Sequence, residues 1–238
     1  MKKYNIIIPA AGSARRLKPL TDSLPKSLLK IKNKPIIEHQ LDNLPIEHIK
    51  RIIVILGFNG DKIKDHIESL DLNYPVKYYY NENYANTNCA YSLIRAKEEM
   101  LEGFIILNCD LLYKKDNILK LLKSDYLNAV NVRKNDKYKT DSQDVVIDND
   151  KIIKWSLDII DANAEVIGPL KVCAGAAKKV IDYFDSLSET EKEKMHCFSL
   201  FSKLITKIDY HPVFIDDSTW IEIDTPEDLE KGKLIWGK

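Results

Sequence analysis

Three unbroken apolar runs constrain the fold most: Ile6-Ile7-Ile8, Ile52-Ile53-Val54-Ile55-Leu56 and Phe104-Ile105-Ile106-Leu107. A strand with one wet face alternates apolar and polar residues, so continuous β-branched runs belong to strands covered on both sides. Between the runs the period becomes helical. The pattern predicts strands over 4–10, 51–58, 76–81 and 104–110, with helical segments over 36–44, 61–70, 90–101 and 117–123. This alternation predicts an α/β fold: a Rossmann-like, mostly parallel sheet sandwiched by helices, with ligands beyond the carboxyl ends of its strands. From Ala129 the rhythm shortens to strand runs over 129–134, 145–148 and 152–157, a small additional β element laid over the sheet. Helices near 176–187 and 195–208, strands over 211–215 and 219–224, and a terminal helix capped by Thr225 with Pro226 at its first position complete the chain. No repeat or linker interrupts it, so residues 1–238 read as a single domain.

Charge narrows the function. Lys and Arg together number 36, as do Asp and Glu, and a neutral chain lacks the basic excess that general nucleic-acid binding needs. The balance is uneven along the sequence. Residues 1–34 carry nine Lys and Arg against one acid, Asp22, whereas residues 211–230 carry seven acids and no Lys or Arg. A basic head suits a polyphosphate, and an acidic tail suits a divalent cation. No run of about 18 apolar residues exists to enter a membrane, and the short apolar stretch after Met1-Lys2-Lys3 is too brief for a signal-peptide core, so a cytoplasmic protein is expected. Cys89, Cys109, Cys173 and Cys197 form no CxxC pair and read as free thiols.

The first strand runs into Pro9-Ala10-Ala11-Gly12-Ser13-Ala14-Arg15-Arg16 and then Leu24-Pro25-Lys26-Ser27-Leu28-Leu29. Small residues after a strand let the backbone approach a ligand, and successive N–H groups there cradle phosphate oxygens. Neither GxxxxGK[ST] nor GxGxxG is present, which sets aside a P-loop protein and a Rossmann dehydrogenase.

The whole string AAGSARRLKPLTDSLPKSLL resembles the opening motif of the nucleotidyltransferases that activate sugar phosphates and other small phosphates, with the nucleotide-diphospho-sugar transferase fold. The likeness to the CTP:phosphocholine cytidylyltransferase type continues through Asn81–Leu93, Asn108-Cys109-Asp110 and Trp220-Ile221-Glu222-Ile223-Asp224. The resemblance implies that Ala10, Ala11 and Gly12 contact the nucleotide through their backbone, with Tyr80 and Asn88 beside the base. It implies that Arg16 and Lys26 hold the triphosphate and its developing charge. Asp110 and Asp224, with Glu222 as a third carboxylate, would bind Mg2+, and Lys171 would reach the acceptor phosphate. One departure is Ala14, where the family's motif has glycine. His196 and the strand tyrosines Tyr78 and Tyr79 read as packed or surface residues.

Chemistry is consistent with the resemblance. An acceptor phosphate, with a second pKa of about 6, is already mostly ionised at neutral pH and needs no protein base to attack the α-phosphorus of a nucleoside triphosphate. The reaction asks for charge neutralisation and alignment, and the chain shows no poised Ser, Cys or His nucleophile. The expected function is transfer of CMP from CTP to a small phosphorylated acceptor, phosphocholine or a phosphoamino acid such as L-glutamine phosphate, in surface-polysaccharide or capsule modification. His196-Cys197-Phe198 stands where the phosphocholine enzymes have an acid-containing aromatic segment. A sugar-1-phosphate nucleotidylyltransferase and a non-catalytic nucleotide sensor are the alternatives.

Overall fold

The computed structural model describes residues 2–134, 142–157 and 159–236. The strands are β1 (Tyr4–Ala10), β2 (Lys30–Ile31), β3 (Lys34–Pro35), β4 (Ile49–Leu56), β5 (Val76–Tyr80), β6 (Phe104–Ile106), β7 (Leu111–Tyr113), β8 (Ala129–Lys134), β9 (Gln143–Asp148), β10 (Lys151–Leu157), β11 (Ala164–Val172), β12 (His211–Phe214) and β13 (Trp220–Glu222). One large sheet has the order β10-β9-β11-β6-β1-β4-β5, with β8 paired to β11 and β12 to β8. Strands β6, β1, β4 and β5 are mutually parallel, while β11 runs antiparallel to β6, β8 and β9.

The unbroken apolar runs occupy the middle of this sheet. Ile7, Ile53, Ile55, Phe104 and Ile106 pack into a core on one face, and Ile6, Ile8, Ile52, Val54 and Ile105 into a core on the other. Successive side chains of a strand point to opposite faces, so a sheet covered on both sides requires apolar residues at every position. Among the described residues no helix is long and apolar enough to cross a membrane.

Strands β8, β9 and β10, expected as a small element laid over the sheet, are members of the large sheet itself, and the structure departs from the sequence reading in further places. The strand predicted over 104–110 stops at Ile106, because the chain turns through Asn108–Asp110. The buried amide of Gln40 holds that turn, donating to the carbonyls of Asn108 at 2.6 Å and Leu111 at 2.7 Å. Beyond it β7 leaves the sheet and pairs antiparallel with β13, over a third apolar cluster that includes Leu17, Ile31, Leu112, Ile223 and Leu229. The helix predicted over 90–101 is divided into Cys89–Leu93, a tighter turn over Ile94–Ala96, and Lys97–Met100. The helix predicted over 195–208 is only Cys197–Ser202, after a separate helix Glu189–Lys194 that begins with a Ser188–Glu191 capping box. Strand β11 occupies a stretch for which the pattern predicts no element, and Gly168-Pro169 lies within it.

Candidate active site

The parallel strands end on a common edge, and the segments that leave β1, β5 and β6 line a cavity of about 390 Å³. Beside it lies a smaller cavity of about 150 Å³, and Pro9, Gly12, Asn88 and Cys89 line both. Gly57, just past β4, permits this arrangement: a Cβ there would stand 2.6 Å from the Ala11 carbonyl oxygen and 2.9 Å from the Tyr84 Cβ. A Cβ on Gly12 would meet nothing within 4 Å, so that backbone faces open space, as a ligand cradle requires.

Three carboxylates brought from two distant segments gather at the charged end of the larger cavity: Asp110 and Asp224 line it, and Glu222 stands beside them. Asp110 sits on the turn after β6, Glu222 ends β13, and Asp224 follows it just ahead of the terminal helix Pro226–Ile235. One oxygen of each lies within 4.8 Å of the others. The β7–β13 pairing sets the spacing, because Glu222 is opposite Leu111 and the Ile223 N–H donates to the Asp110 carbonyl at 2.9 Å. The Thr225–Asp228 capping box steadies the other side, and the Asp224 N–H reaches Asp228 Oδ2 at 3.3 Å.

Lys26 is the central counter-charge. Its ammonium lies 2.8 Å from Asp110 Oδ2 and 2.6 Å from Asp224 Oδ1, with the side chain 10% exposed. Burial alone would lower its pKa, but the charges of Asp110 and Asp224 outweigh burial and hold the ammonium above its ordinary value. Arg16 Nη2 adds a 2.8 Å contact to Asp224 Oδ2 from the exposed rim. The basic head and acidic tail of the sequence therefore meet here. Among the described residues Glu222 has no ion-pair partner; although the residue is exposed at the rim, the protein crowding its carboxyl, then the charges of Asp110 and Asp224, push its pKa up to about 8.

These residues fit a divalent cation. Asp110 Oδ1 is buried with no hydrogen-bond partner, the donor set is all carboxylate oxygen, and Mg2+ is a hard cation that prefers such ligands together with phosphate and water.

The nucleotide residues named from the sequence divide into two groups. Gly12 and Asn88 line both cavities, and Ala11 lines the smaller one, while Ala10 ends β1 as part of the buried core. Asn88 caps the helix Cys89–Leu93, its Oδ1 accepting from the Cys89 N–H at 2.8 Å. Tyr80 is a correction. On the edge strand β5 it is 41% exposed, its hydroxyl donates to Asp61 at 2.8 Å, and it lines neither cavity. Tyr84, four residues on, lines the smaller cavity instead.

Lys171 is the second correction. Its register partners are Ile105 and Ala129, near the starts of β6 and β8, away from the edge where the cavity opens. Its ammonium is buried and donates to the carbonyls of Leu121 and Ser124 and to the Ser124 hydroxyl, at 2.9, 3.0 and 2.9 Å. The part of the wall not assigned from the sequence includes Cys89, Gln143, His196, Cys197 and Phe198. Gln143 carried no signal in the sequence; Cys89 stood within the Asn81–Leu93 likeness without an assigned role, and His196, Cys197 and Phe198 only in a segment that departs from the phosphocholine pattern.

Comparison with known proteins bears on this geometry. The nucleotidyl transferase family model matches residues 5–141. The choline-phosphate cytidylyltransferase of Streptococcus pneumoniae is 26% identical over 234 residues, covering 94% of this chain and 95% of that protein. The CTP:phosphoglutamine cytidylyltransferase of Campylobacter jejuni subsp. jejuni is 28% identical over 250 residues, covering 95% and 98%. Among solved structures, CTP:phosphocholine cytidylyltransferase from S. pneumoniae superposes with a TM-score of 0.81 at 24% identity, covering 98% of this chain and 99% of that one. The inositol-1-phosphate CTP transferase from T. maritima gives 0.83 at 18%, covering 99% and 96%. At such identities the structures establish the fold, and it is the nucleotide-diphospho-sugar transferase fold.

Proposed function

We propose a reaction for a chain that belongs to the nucleotidyl transferase family: it transfers CMP from CTP to a small phosphate whose organic part carries an amine or amide, and releases pyrophosphate. The observation that carries this reading is the Lys26 ammonium held between Asp110 and Asp224 beside the open backbone of Gly12. Two relatives aligned over nearly the whole chain bear cytidylyltransferase names, which supports CTP as the donor.

In this reading the nucleoside occupies the smaller cavity, against Ala11, Gly12, Tyr84 and Asn88. Its phosphates extend into the larger cavity toward Lys26 and Arg16. Asp110, Asp224 and Glu222 would hold Mg2+, which would supply neutralisation of phosphate charge there. The acceptor phosphate is its own nucleophile, so the protein has no proton to abstract. Lys26, kept charged by its two aspartates, stabilises the charge that develops as the bond to pyrophosphate breaks. Arg16 neutralises the leaving pyrophosphate from the rim. The place of this reaction in surface-polysaccharide modification belongs to the same proposal, as does a cytoplasmic location.

The test is pyrophosphate release from each of the four nucleoside triphosphates with Mg2+, crossed with choline phosphate, glutamine phosphate, aminoethyl phosphonate and several sugar 1-phosphates. Turnover with CTP and one of the first three is expected. Turnover with sugar 1-phosphates alone would overturn the acceptor assignment, and nucleotide binding with no turnover for any pair would favour a sensor.

A further inference from the structure

The transfer reaction leaves unused a thiol cluster in the wall of the larger cavity. Cys89 opens one short helix and Cys197 another, and both line that cavity. The two segments are laced together: the Asn88 N–H donates to the Glu193 carbonyl at 2.7 Å, and the Ala90 N–H to the Met195 carbonyl at 3.2 Å. Between these bonds the Cys197 N–H donates to the Cys89 sulfur at 2.9 Å. His196 completes the cluster, its Nε2 lying 3.0 Å from Asn88 Nδ2.

A sulfur that accepts a backbone N–H beside an imidazole is stabilised as thiolate. Hydrogen bonding from Cys197, and then from His196, lowers the Cys89 thiol below its ordinary value against the opposing effect of burial. Cys109 lines the same cavity, on the turn that carries Asp110. Cys173 precedes the helix Ala174–Ser186 and lines neither cavity. All four cysteines are free. The Cys89 sulfur thus accepts a backbone N–H from the residue that carries the second thiol, Cys197.

We propose that Cys89 is a peroxide-reactive thiol in the substrate cavity, and that Cys197 resolves its oxidised form to a reversible Cys89–Cys197 disulfide. The Cys89 thiolate attacks one oxygen of hydrogen peroxide; the O–O bond breaks, Cys89 becomes a sulfenic acid, and the departing hydroxide takes a proton to leave as water. The Cys197 sulfur then attacks the Cys89 sulfur; the S–O bond breaks, and hydroxide leaves as water with the proton of Cys197. Two thiols lose two electrons in total, and one peroxide is reduced to two waters. Because Cys89 lines both cavities, the disulfide alters the wall where substrate sits, and turnover falls with oxidation. That loss of turnover rests on the cytidylyl-transfer reading, whereas the thiol chemistry does not.

The full-length reduced protein is treated with hydrogen peroxide without nucleotide, remaining thiols are alkylated, and a non-reducing digest is mapped by mass spectrometry. The expected product is a Cys89–Cys197 linked peptide, removed by dithiothreitol and formed at least ~10-fold faster than any oxidation of Cys173. In Cys197→Ser the sulfenic acid persists and dimedone labels Cys89; in Cys89→Ser no linkage forms and Cys197 stays alkylatable. Circular dichroism confirms that each variant is folded. Oxidation of Cys89 no faster than of Cys173, or Cys89 sulfinic acid beside an intact Cys197 thiol, would overturn the proposal. Neither result bears on pyrophosphate release, and an enzyme without turnover would still give the thiol map.

Discussion

The backbone N–H of Ile223 donates to the carbonyl of Asp110 at 2.9 Å, and this bond joins the two segments that carry the acids of the cavity. Asp110 follows a central strand of the large sheet, whereas Ile223 sits between Glu222 and Asp224 at the far end of the chain. Both acids of the Lys26 bridge are therefore positioned by main chain. Asp110→Asn and Asp224→Asn should each lower kcat/KM by about 10²–10³-fold or more, the scale of removing one preorganised charge. Melting temperatures in the absence of ligand should change little by comparison. Initial rates and thermal melts on the same preparations check this, and loss of activity only in step with unfolding would contradict it.

Glu222 is predicted to separate stability from function. Its pKa of about 8 records an unfavourable position for a charged carboxyl beside two others. Glu222→Gln removes that charge, so the ligand-free protein should be stabilised, by ~1 kcal/mol at most once solvent screening of this exposed group is discounted. The same variant should bind Mg2+ less tightly. Thermal melts with and without Mg2+ give both numbers: the substitution should raise the first and shrink the gain on adding metal.

Lys171 should matter to folding and not to substrate. Burial, then the charge of Lys2, lowers its pKa to about 8 from an ordinary 10.5. Between those values the unfolded chain binds more protons than the folded one, so stability should rise with pH through that window. Lys171→Met should abolish that rise and cost ~1–3 kcal/mol, since the carbonyls of Leu121 and Ser124 lose their donor. Urea unfolding at several pH values measures both effects. The KM for the acceptor should be unchanged, and a large increase would return Lys171 to a binding role.

Ala14 occupies the left-handed region, with φ 46° and ψ 55°, and its carbonyl accepts from the Thr21 hydroxyl at 2.9 Å. The backbone thus takes at alanine a conformation that favours glycine, at a cost of roughly 1–2 kcal/mol. Ala14→Gly relieves that cost and adds chain entropy to the unfolded state, for a net gain of ~0.5–1 kcal/mol. Denaturant midpoints at constant slope test it; a loss of stability would mean that the turn is not strained at Ala14.

The sheet and the charged end of the cavity were legible because their signals are local. Unbroken β-branched runs can only be doubly covered strands, and the basic head and acidic tail announced the meeting of Arg16 and Lys26 with Asp224. Other features depended on tertiary context. No local pattern shows that Gln40 reaches across to end β6 and send Leu111–Tyr113 toward Trp220–Glu222, yet that excursion brings Asp110 to Glu222 and Asp224. The tyrosines of β5 gave no sign of the edge position that turns Tyr80 toward Asp61. The family resemblance implied an acceptor role for Lys171, but its side chain instead reaches the carbonyls of Leu121 and Ser124. Cys89 and His196 are far apart in sequence and share a wall only because two short helices start side by side.

The most direct test of cytidylyl transfer is phosphorus NMR of the purified protein with CTP, Mg2+ and glutamine phosphate or choline phosphate in turn. The account predicts that with one of these acceptors the triphosphate signals give way to a pyrophosphate resonance and, in equal amount, a pair of diphosphate-ester resonances joining CMP to the acceptor phosphate. Pyrophosphate appearing with free CMP and unchanged acceptor would mean hydrolysis of CTP, and would contradict transfer.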